Sequence, residues 1–230
     1  MNNIKKTLLL TLMLFSSYIS FAQKSDVGNW FIYSGNQAIN NKWNWWNEVQ
    51  YRNYNFIGDL QQLLVRTGIG YNLTENNNNI LLGYAFINSQ NYPPGSEDKE
   101  DKVSSNENRL FEQFITRQNF GRVFIQHRYR IEERFFSNDF KMRFRYSLSF
   151  NVPINIKTMS AKAFYASASN EIFLNAESPV FDRNRLYGGF GYVINKNFRV
   201  ETGLMVQIQE NTNRSQLQIM LFNSLPFNSK

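Results

Sequence analysis

Charged side chains at every second position mark the part of this sequence best suited to chemistry. They occur in two neighbouring segments and are Arg128, Arg130, Glu132, Arg134, Arg143 and Arg145. If Ser137–Asp139 forms the turn between two strands, residues on the same face become cross-strand neighbours. We then expect Glu132 to lie beside Arg143 or Arg145, depending on the register. Either register produces Arg–Glu–Arg contacts on one face of a hairpin.

Such a charged face allows two interpretations. A narrow barrel has little free interior, and a cross-linked set of Arg, Glu and Tyr side chains would fill it. Alternatively, a cationic lining would concentrate the electric field in a channel and attract anionic solutes. Further polar residues on the same face of their strands fit either interpretation and are Glu48, Arg52, Glu171, Arg199 and Glu201.

His127 is the only histidine, and the sequence contains no cysteine. A lipid-modifying hydrolase of the outer membrane would need a histidine beside a serine and a carboxylate. His127 instead alternates in phase with Ile125, Tyr129 and Ile131, so we expect it to point away from the polar residues. We therefore predict a protein that is not an enzyme and that has no cofactor and no metal. The hydrolase is kept as an alternative.

The spacing of the charged residues is that of a β-strand. From Lys141 to Asn151 polar and apolar residues alternate without exception, which is a period of two. The pattern recurs in eleven segments between Gly28 and Leu225. Each has about ten residues, the length of a tilted strand that crosses a membrane. The sequence therefore predicts an all-β protein consisting of a single antiparallel transmembrane β-barrel.

The number of strands is predicted to be ten or twelve. Bacterial barrels with both chain ends in the periplasm need an even number of strands, and Gly28–Ala38 is the least regular segment. Within Glu107–Gln118 the apolar residues change phase, which we interpret as a bulge. Trp43, Trp45 and Trp46 begin a strand, where an aromatic girdle is expected.

Two long connections, Asn91–Asn106 and Asn175–Asn184, contrast with shorter ones between the other segments. Bacterial barrels keep their tight turns in the periplasm. We therefore expect both long loops to face outward. A surface receptor or adhesin that acts through these loops is a further alternative.

The first 22 residues have the pattern of a secretory signal peptide. Lys5 and Lys6 precede the apolar stretch Thr7–Ile19, and Ser20 and Ala22 supply the small residues of a cleavage site. We predict a signal peptide over residues 1–22 and an outer-membrane β-barrel over residues 23–230. The export signal and the alternating strands together predict the outer membrane of a Gram-negative bacterium.

The composition narrows the range of partners. The net charge is +7, but the arginines alternate with Glu, Gln and Ser along strands, which argues against nucleic acid. Aromatic residues make up 16% of the chain, as expected where girdles mark both membrane interfaces. The expected partners are outer-membrane lipids and lipopolysaccharide, the barrel-assembly machinery during biogenesis, and a small anionic solute. The expected function is a structural membrane component or a narrow passive channel.

Several motifs resemble one protein family. The most telling is the run from His127 to Phe135, His-Arg-Tyr-Arg-Ile-Glu-Glu-Arg-Phe, which is accompanied by Asn47–Arg52, Asn170–Phe173 and Phe181–Arg185. Together they resemble the domain-of-unknown-function family 2490, common among Bacteroidota. The resemblance covers most of the chain. It implies an outer-membrane barrel of unassigned function and supplies no catalytic residues.

Overall fold

The computed structural model describes residues 27–74, 77–96 and 98–227, and its regular structure is almost entirely β-strand. The strands are β1 (Val27–Ala38), β2 (Trp43–Asn53), β3 (Leu60–Asn72), β4 (Asn78–Asn91), β5 (Val103–Phe120), β6 (Val123–Phe135), β7 (Phe140–Pro153), β8 (Phe164–Asn175), β9 (Phe181–Val193), β10 (Phe198–Ile208) and β11 (Asn213–Asn223). A single 3-10 turn, Lys99–Asp101, precedes β5. The predicted signal peptide lies outside the described residues. In the described ranges no helix has the length and apolar character to cross a membrane.

The strands form one closed barrel, which confirms the predicted fold class. Consecutive strands pair antiparallel, whereas β1 and β11 pair in parallel, from Val27 with Ser215 to Gly35 with Asn223. The predicted count of ten or twelve strands is therefore corrected to eleven. An even number is required only if every pair is antiparallel, and the parallel pair removes that requirement. The irregular first segment is a full strand.

Eleven strands place the start of β1 and the end of β11 at opposite ends of the barrel. We call the two ends the arginine end, after the arginine side chains near it, and the capped end, after the loop that covers it. The arginine end carries the start of β1 and the connections that follow β2, β4, β6, β8 and β10. The capped end carries the end of β11 and the other connections.

Loop length does not distinguish these two ends. The connection between β4 and β5 at the arginine end spans 92–102, but the connection between β7 and β8 at the capped end spans 154–163. The second predicted long loop, Asn175–Asn184, is too long, because half of it is strand and only 176–180 remains as a connection.

Alternation along the strands separates an apolar outer face from a mixed interior. Leu82, Phe190 and Leu204 are among the most exposed apolar side chains within strands, at 62%, 66% and 58%. The outward positions predicted from polarity are confirmed, for example at Val65 and Ile69 of β3.

Two local predictions are wrong. β5 has no bulge and pairs regularly with both neighbours, because Phe111 is an inward-facing apolar residue in phase with Glu107. The bulges lie instead between Arg52 and Asn53 and between Phe173 and Leu174. Trp46 also faces inward and is not part of a girdle. Its ring contacts Phe111 edge-on, with centroids 5.9 Å apart.

Apolar side chains fill two levels of the interior. The first level is a buried cluster of Leu64, Leu81, Ala85, Ile87 and Phe111, against which Trp46 packs. Gly83 makes room for it, since a Cβ there would lie 2.2 Å from the Phe111 ring. The second level, at the capped end, consists of Ala163, Tyr165 and Val193.

The connection between β7 and β8 covers the capped end. Its residues Ile156 and Met159 pack on the buried cluster of Ala163, Tyr165 and Val193. One nitrogen of Arg122 donates hydrogen bonds to the carbonyls of Pro153, Ile154 and Ile156 at 2.9–3.0 Å. This connection, residues 154–163, is called the capping loop.

Candidate functional site: a cationic pocket

Glu132 is the centre of an ion-pair cluster inside the barrel. It is only 1% exposed, and four guanidinium groups surround it. The N–O distances are 2.6 Å to Arg143, 2.5 Å to Arg145, and 3.5 Å to both Arg109 and Arg130. In the β6–β7 register Glu132 lies opposite Arg143. Both arginines that the sequence proposed as alternative neighbours therefore bind the carboxylate together.

Glu171 of β8 extends this cluster across a third strand. It accepts hydrogen bonds from Arg145 and from Arg128, each at 2.7 Å. Arg145 thereby bridges Glu132 and Glu171. Because buried ions are tolerated only when they are paired with good geometry, these contacts fix the register of β6, β7 and β8.

The remaining carboxylates near the arginine end are also paired. The pairs are Glu107 with Arg109 and Arg134, Glu48 with Arg66, and Asp182 with Arg143 and Arg183. Most of these carboxylates serve two or more arginines. Guanidinium groups therefore outnumber carboxylates in this part of the interior.

Arg52 and Arg185 have no carboxylate partner among the described residues. Arg52 donates to the amide oxygens of Gln50 and Gln62, and Arg185 donates to that of Gln207 at 2.8 and 3.0 Å. Both guanidinium groups also lie over the ring of Trp30, at 3.7 Å and 4.9 Å from its centroid. Neutral amides and one indole ring thus surround two positive charges.

These arginines line a cavity of about 230 Å³ near the arginine end, which we call the cationic pocket. Its arginines are Arg52, Arg66, Arg109, Arg134, Arg143, Arg145, Arg183 and Arg185, and its one acidic residue is Glu107. At the rim, the side chain of Arg183 is 24% exposed. Glu48, Glu132, Glu171 and Asp182 pair with some of these arginines from outside the lining. Eight arginines still exceed these five carboxylates, so the pocket has a positive potential that attracts anions.

Buried side chains occupy the interior beyond the pocket. Phe111 and Tyr165 are fully buried, and Met205 is 1% exposed. The Tyr165 hydroxyl donates to Glu201 at 2.8 Å. Closer to the capped end, Arg199 lies over the Phe222 ring at 4.0 Å. Arg199 and Phe222 also line a second cavity, of about 260 Å³, at the capped end.

All the candidate residues named from the sequence face inward, but they do not form one site. Those near the arginine end lie in or beside the cationic pocket, and they are Glu48, Arg52, Arg128, Arg130, Glu132, Arg134, Arg143, Arg145 and Glu171. Arg199 and Glu201 belong to the capped half. Near the rim, Asp182 pairs with Arg143 and Arg183, and Glu171 lies opposite Arg185 in the β8–β9 register.

Sequence reasoning left out several residues of the pocket. Arg66 and Arg109 are not among the candidates from the sequence. Leu64 lies on the same strand face as Arg66, and Phe111 lies on the same strand face as Arg109, so the inward faces of both strands look apolar. The alternation of Glu107 with Arg109 was a usable signal, since both are inward neighbours on β5. Nothing in the sequence alone indicated that Arg52 and Arg185 meet at Trp30, because β2 and β9 are not adjacent strands.

His127 lies on the outward face, as predicted. Its Nδ1 is 2.9 Å from the Tyr146 hydroxyl, and the two rings stack with centroids 6.2 Å apart. Its cross-strand neighbours are Thr116 and Leu148. Across the described ranges, no group of three or more His, Asp or Glu side chains is arranged to hold a metal ion.

A second polar cluster fastens the connections at the arginine end. Asp59 accepts hydrogen bonds from Lys102 and from the Tyr92 hydroxyl, the latter at 3.0 and 3.1 Å. Lys99 donates to the carbonyl of Gly58 at 3.1 Å. Desolvation and the hydrogen bond to Asp59 raise the pKa of Tyr92 to about 12. The long connection 92–102 is thereby tied to the connection between β2 and β3.

A family model described as "Protein of unknown function (DUF2490)" matches residues 27–218, which include almost the whole barrel. The chain belongs to this family. The match confirms the resemblance seen in the motifs around His127–Phe135, and it extends from β1 into β11. No curated protein and no solved structure matches the chain. The family carries no assigned activity, so a function has to be argued from the pocket itself.

Proposed function

We propose that this protein is a closed, non-enzymatic barrel of the bacterial outer membrane that binds a small anion in its cationic pocket. The observation that carries the proposal is the composition of the pocket, whose eight arginines outnumber both the one carboxylate of the lining and the four that pair with them from outside it. A structural filling of the interior would need charges that balance one another. The surplus of guanidinium groups instead leaves donors for a ligand.

The exposed apolar belt supports the location in a membrane. Large apolar side chains such as Leu82, Phe190 and Leu204 face outward on several strands, and a soluble barrel would bury such residues. Their natural surroundings are outer-membrane lipids, including lipopolysaccharide, and insertion of such a chain would use the barrel-assembly machinery. Separation of membranes after export tests the location, and recovery of the mature protein in the soluble fraction without detergent would contradict it.

We further propose that the barrel does not conduct, in preference to the narrow passive channel. The support is the level of buried side chains that contains Phe111 and Trp46 beyond the pocket, together with the capping loop at the other end. In planar lipid bilayers we expect no stepwise conductance from the purified protein. Steps of conductance with anion selectivity would favour the channel.

The anion itself is tested by calorimetry on the detergent-folded full chain. Titration at low ionic strength should show saturable binding of a small anion, and Arg52→Gln should weaken it. Arg117→Gln is the matched control, because Arg117 is also an inward arginine bound to a glutamine, at 3.0 Å from Gln126, but lies at the capped end. Failure of every anion tested to bind would refute the proposal.

No contact in the structure favours the hydrolase over this function. His127 and the inward polar residues lie on different faces of the barrel, so the histidine and the acidic groups of the interior cannot share a substrate. We expect His127→Ala to change neither lipid composition nor any measured phospholipase or deacylase activity. Loss of such an activity in the variant would show that the protein is an enzyme.

A further inference from the structure

Arg52 and Arg185 are the feature of the cationic pocket that identifies its ligand. Both contact Trp30, so their guanidinium groups lie on the order of 10 Å apart or less. Their hydrogen-bond acceptors are the neutral oxygens of glutamines. Two like charges held this close in a low-dielectric interior repel one another. Glu48, on the same face of β2 as Arg52, and Glu171, opposite Arg185 in the β8–β9 register, compensate these charges only in part, because Glu48 is paired with Arg66 and Glu171 with Arg128 and Arg145. A ligand that carries two negative charges would complete the compensation.

Further unused donor capacity lies beside them. Arg66 is 6% exposed, and its Nε has no hydrogen-bond partner, although the residue pairs with Glu48 through another nitrogen. Arg66 belongs to β3, whereas Arg52 belongs to β2 and Arg185 to β9. The donors therefore approach the cavity from different sides. A tetrahedral oxyanion with three terminal oxygens suits such donors better than a planar carboxylate does.

The only acidic residue of the lining does not oppose an anion. Glu107 binds Arg109 at 2.5 Å and Arg134 at 2.6 Å. Its negative charge is therefore shared between two guanidinium groups. The potential at the Arg52 and Arg185 side of the cavity remains positive.

The size of the cavity limits the ligand. At about 230 Å³ it is smaller than the roughly 300–1,000 Å³ of pockets that enclose drug-sized ligands. A nucleotide or an oligosaccharide would not fit inside. A phosphoryl group would, with the remainder of its molecule projecting past the exposed rim at Arg183.

We propose that the cationic pocket binds the dianionic phosphoryl group of a phosphomonoester, with Arg52, Arg66 and Arg185 as its principal ligands. This inference rests on the anion-binding function proposed above and specifies its ligand. Guanidinium groups are well matched to phosphate oxygens, to which they donate paired hydrogen bonds. The phosphomonoester can be a soluble molecule or the headgroup of a lipid.

Calorimetry with glycerol 1-phosphate, acetate and sulfate at constant ionic strength tests the ligand class. We expect glycerol 1-phosphate to bind at least about tenfold more tightly than acetate at pH 7.5. Its affinity should fall about tenfold between pH 7.5 and pH 5, because the second ionisation of a phosphomonoester has a pKa of about 6. The affinity for sulfate should not change over this range. Equal, pH-independent binding of acetate and glycerol 1-phosphate would overturn the phosphoryl assignment but leave the anion-binding function intact.

Variants test which residues bind. Arg185→Gln should lower the affinity for glycerol 1-phosphate at least about tenfold. The urea midpoint of the ligand-free barrel should stay unchanged or rise, because the substitution removes a buried cation that has no ion-pair partner among the described residues. Arg117→Gln should not affect binding. A lowered urea midpoint in Arg185→Gln with unchanged affinity would overturn the assignment, since Arg185 would then be structural.

Lipid nanodiscs separate the two sources of the phosphoryl group. Phosphatidic acid in the disc should compete with glycerol 1-phosphate if a lipid headgroup reaches the pocket, and phosphatidylcholine should not compete. Lack of competition by phosphatidic acid, together with tight binding of the soluble ester, would identify a soluble ligand. Binding of neither compound would refute the phosphoryl assignment, and it would refute the anion-binding function as well if acetate and sulfate also fail to bind.

Discussion

Glu132 and Arg143 lie directly opposite each other across the β6–β7 hairpin, and two nitrogens of Arg143 donate to the same carboxylate oxygen at 3.1 and 2.6 Å. Arg145 binds the other oxygen at 2.5 Å. Removing the charge of Glu132 would leave Arg143 and Arg145 with one carboxylate each, Asp182 and Glu171, and would leave buried Arg130 with none among the described residues. We expect Glu132→Gln to lower the free energy of unfolding by about 3–5 kcal/mol, measured from the urea midpoint in detergent.

The neighbouring residue provides the control for this prediction. Glu133 is on the outward face of β6 and forms no ion pair in the described part of the chain. Glu133→Gln should change the free energy of unfolding by less than about 1 kcal/mol. If Glu132→Gln were as stable as the unmodified protein, the interior would be hydrated and the closed-barrel proposal would fail.

The close approach of Tyr165 to Gly191 gives a second prediction. A Cβ at Gly191 would lie 2.1 Å from the Tyr165 ring, so an alanine requires the ring to move. Overpacking of this kind costs about 1–3 kcal/mol. We expect Gly191→Ala to lower the thermal midpoint of the folded barrel, measured by heat-dependent mobility on gels.

Gly188 on the same strand is the matched position, because nothing lies within 4 Å of a Cβ placed there. Gly188→Ala should leave the thermal midpoint unchanged. In a Tyr165→Leu background the cost of Gly191→Ala should shrink, because the obstructing ring is gone. An equal cost in both backgrounds would mean that strand geometry, not the ring, requires glycine.

A further prediction concerns Arg122 and the stability of the capping loop. Its hydrogen bonds to three carbonyls involve a charged donor, and such bonds contribute about 1.5–3 kcal/mol. Arg122→Ala should therefore increase the rate of tryptic cleavage at Lys157 by about tenfold or more. Lys196→Ala, which removes an exposed cation from another connection at this end, should not. Equal cleavage rates in all three proteins would show that Arg122 does not hold the loop.

The Tyr92–Asp59 contact makes a prediction about alkaline pH. The pKa of Tyr92 is raised to about 12, above the ordinary value of about 10. The contribution of this contact to stability is therefore complete below pH 10 and is lost as the pH rises through 12. Carbon NMR of ring-labelled tyrosine should show a titration with a midpoint near 12 that disappears in Tyr92→Phe. Asp59→Asn should lower that midpoint more than Asp98→Asn does, since Asp98 contributes least among the groups that raise it.

Strand positions and faces could be predicted because they depend on local alternation. The run Lys141–Asn151 is unambiguous, and the structure keeps every one of its alternating positions in β7. The pairing of Glu132 with Arg143 and Arg145 followed from the short hairpin between β6 and β7. Where the turn is short, few registers are available, so sequence order is enough.

The other features depend on contacts between distant parts of the chain. Phe111 and Trp46 are apolar side chains in an interior that we expected to be polar. Phe111 fills the space above Gly83 and Trp46 packs against it, and no local pattern in the sequence reveals that this space exists. The meeting of Arg52 and Arg185 at Trp30 needs the curvature of the closed sheet. The strand count failed because a parallel closing pair has no signature in the alternation of β1 or β11.

The parallel seam between β1 and β11 has a consequence for biogenesis. The first strand to be made finds one of its two neighbours only when the last strand has been delivered, because Val27 pairs with Ser215 and Gly35 with Asn223. Until then, the growing sheet exposes two unpaired edges. A chain that ends before Asn213 lacks β11, so we expect it to remain an open sheet in which β1 has no partner on one side.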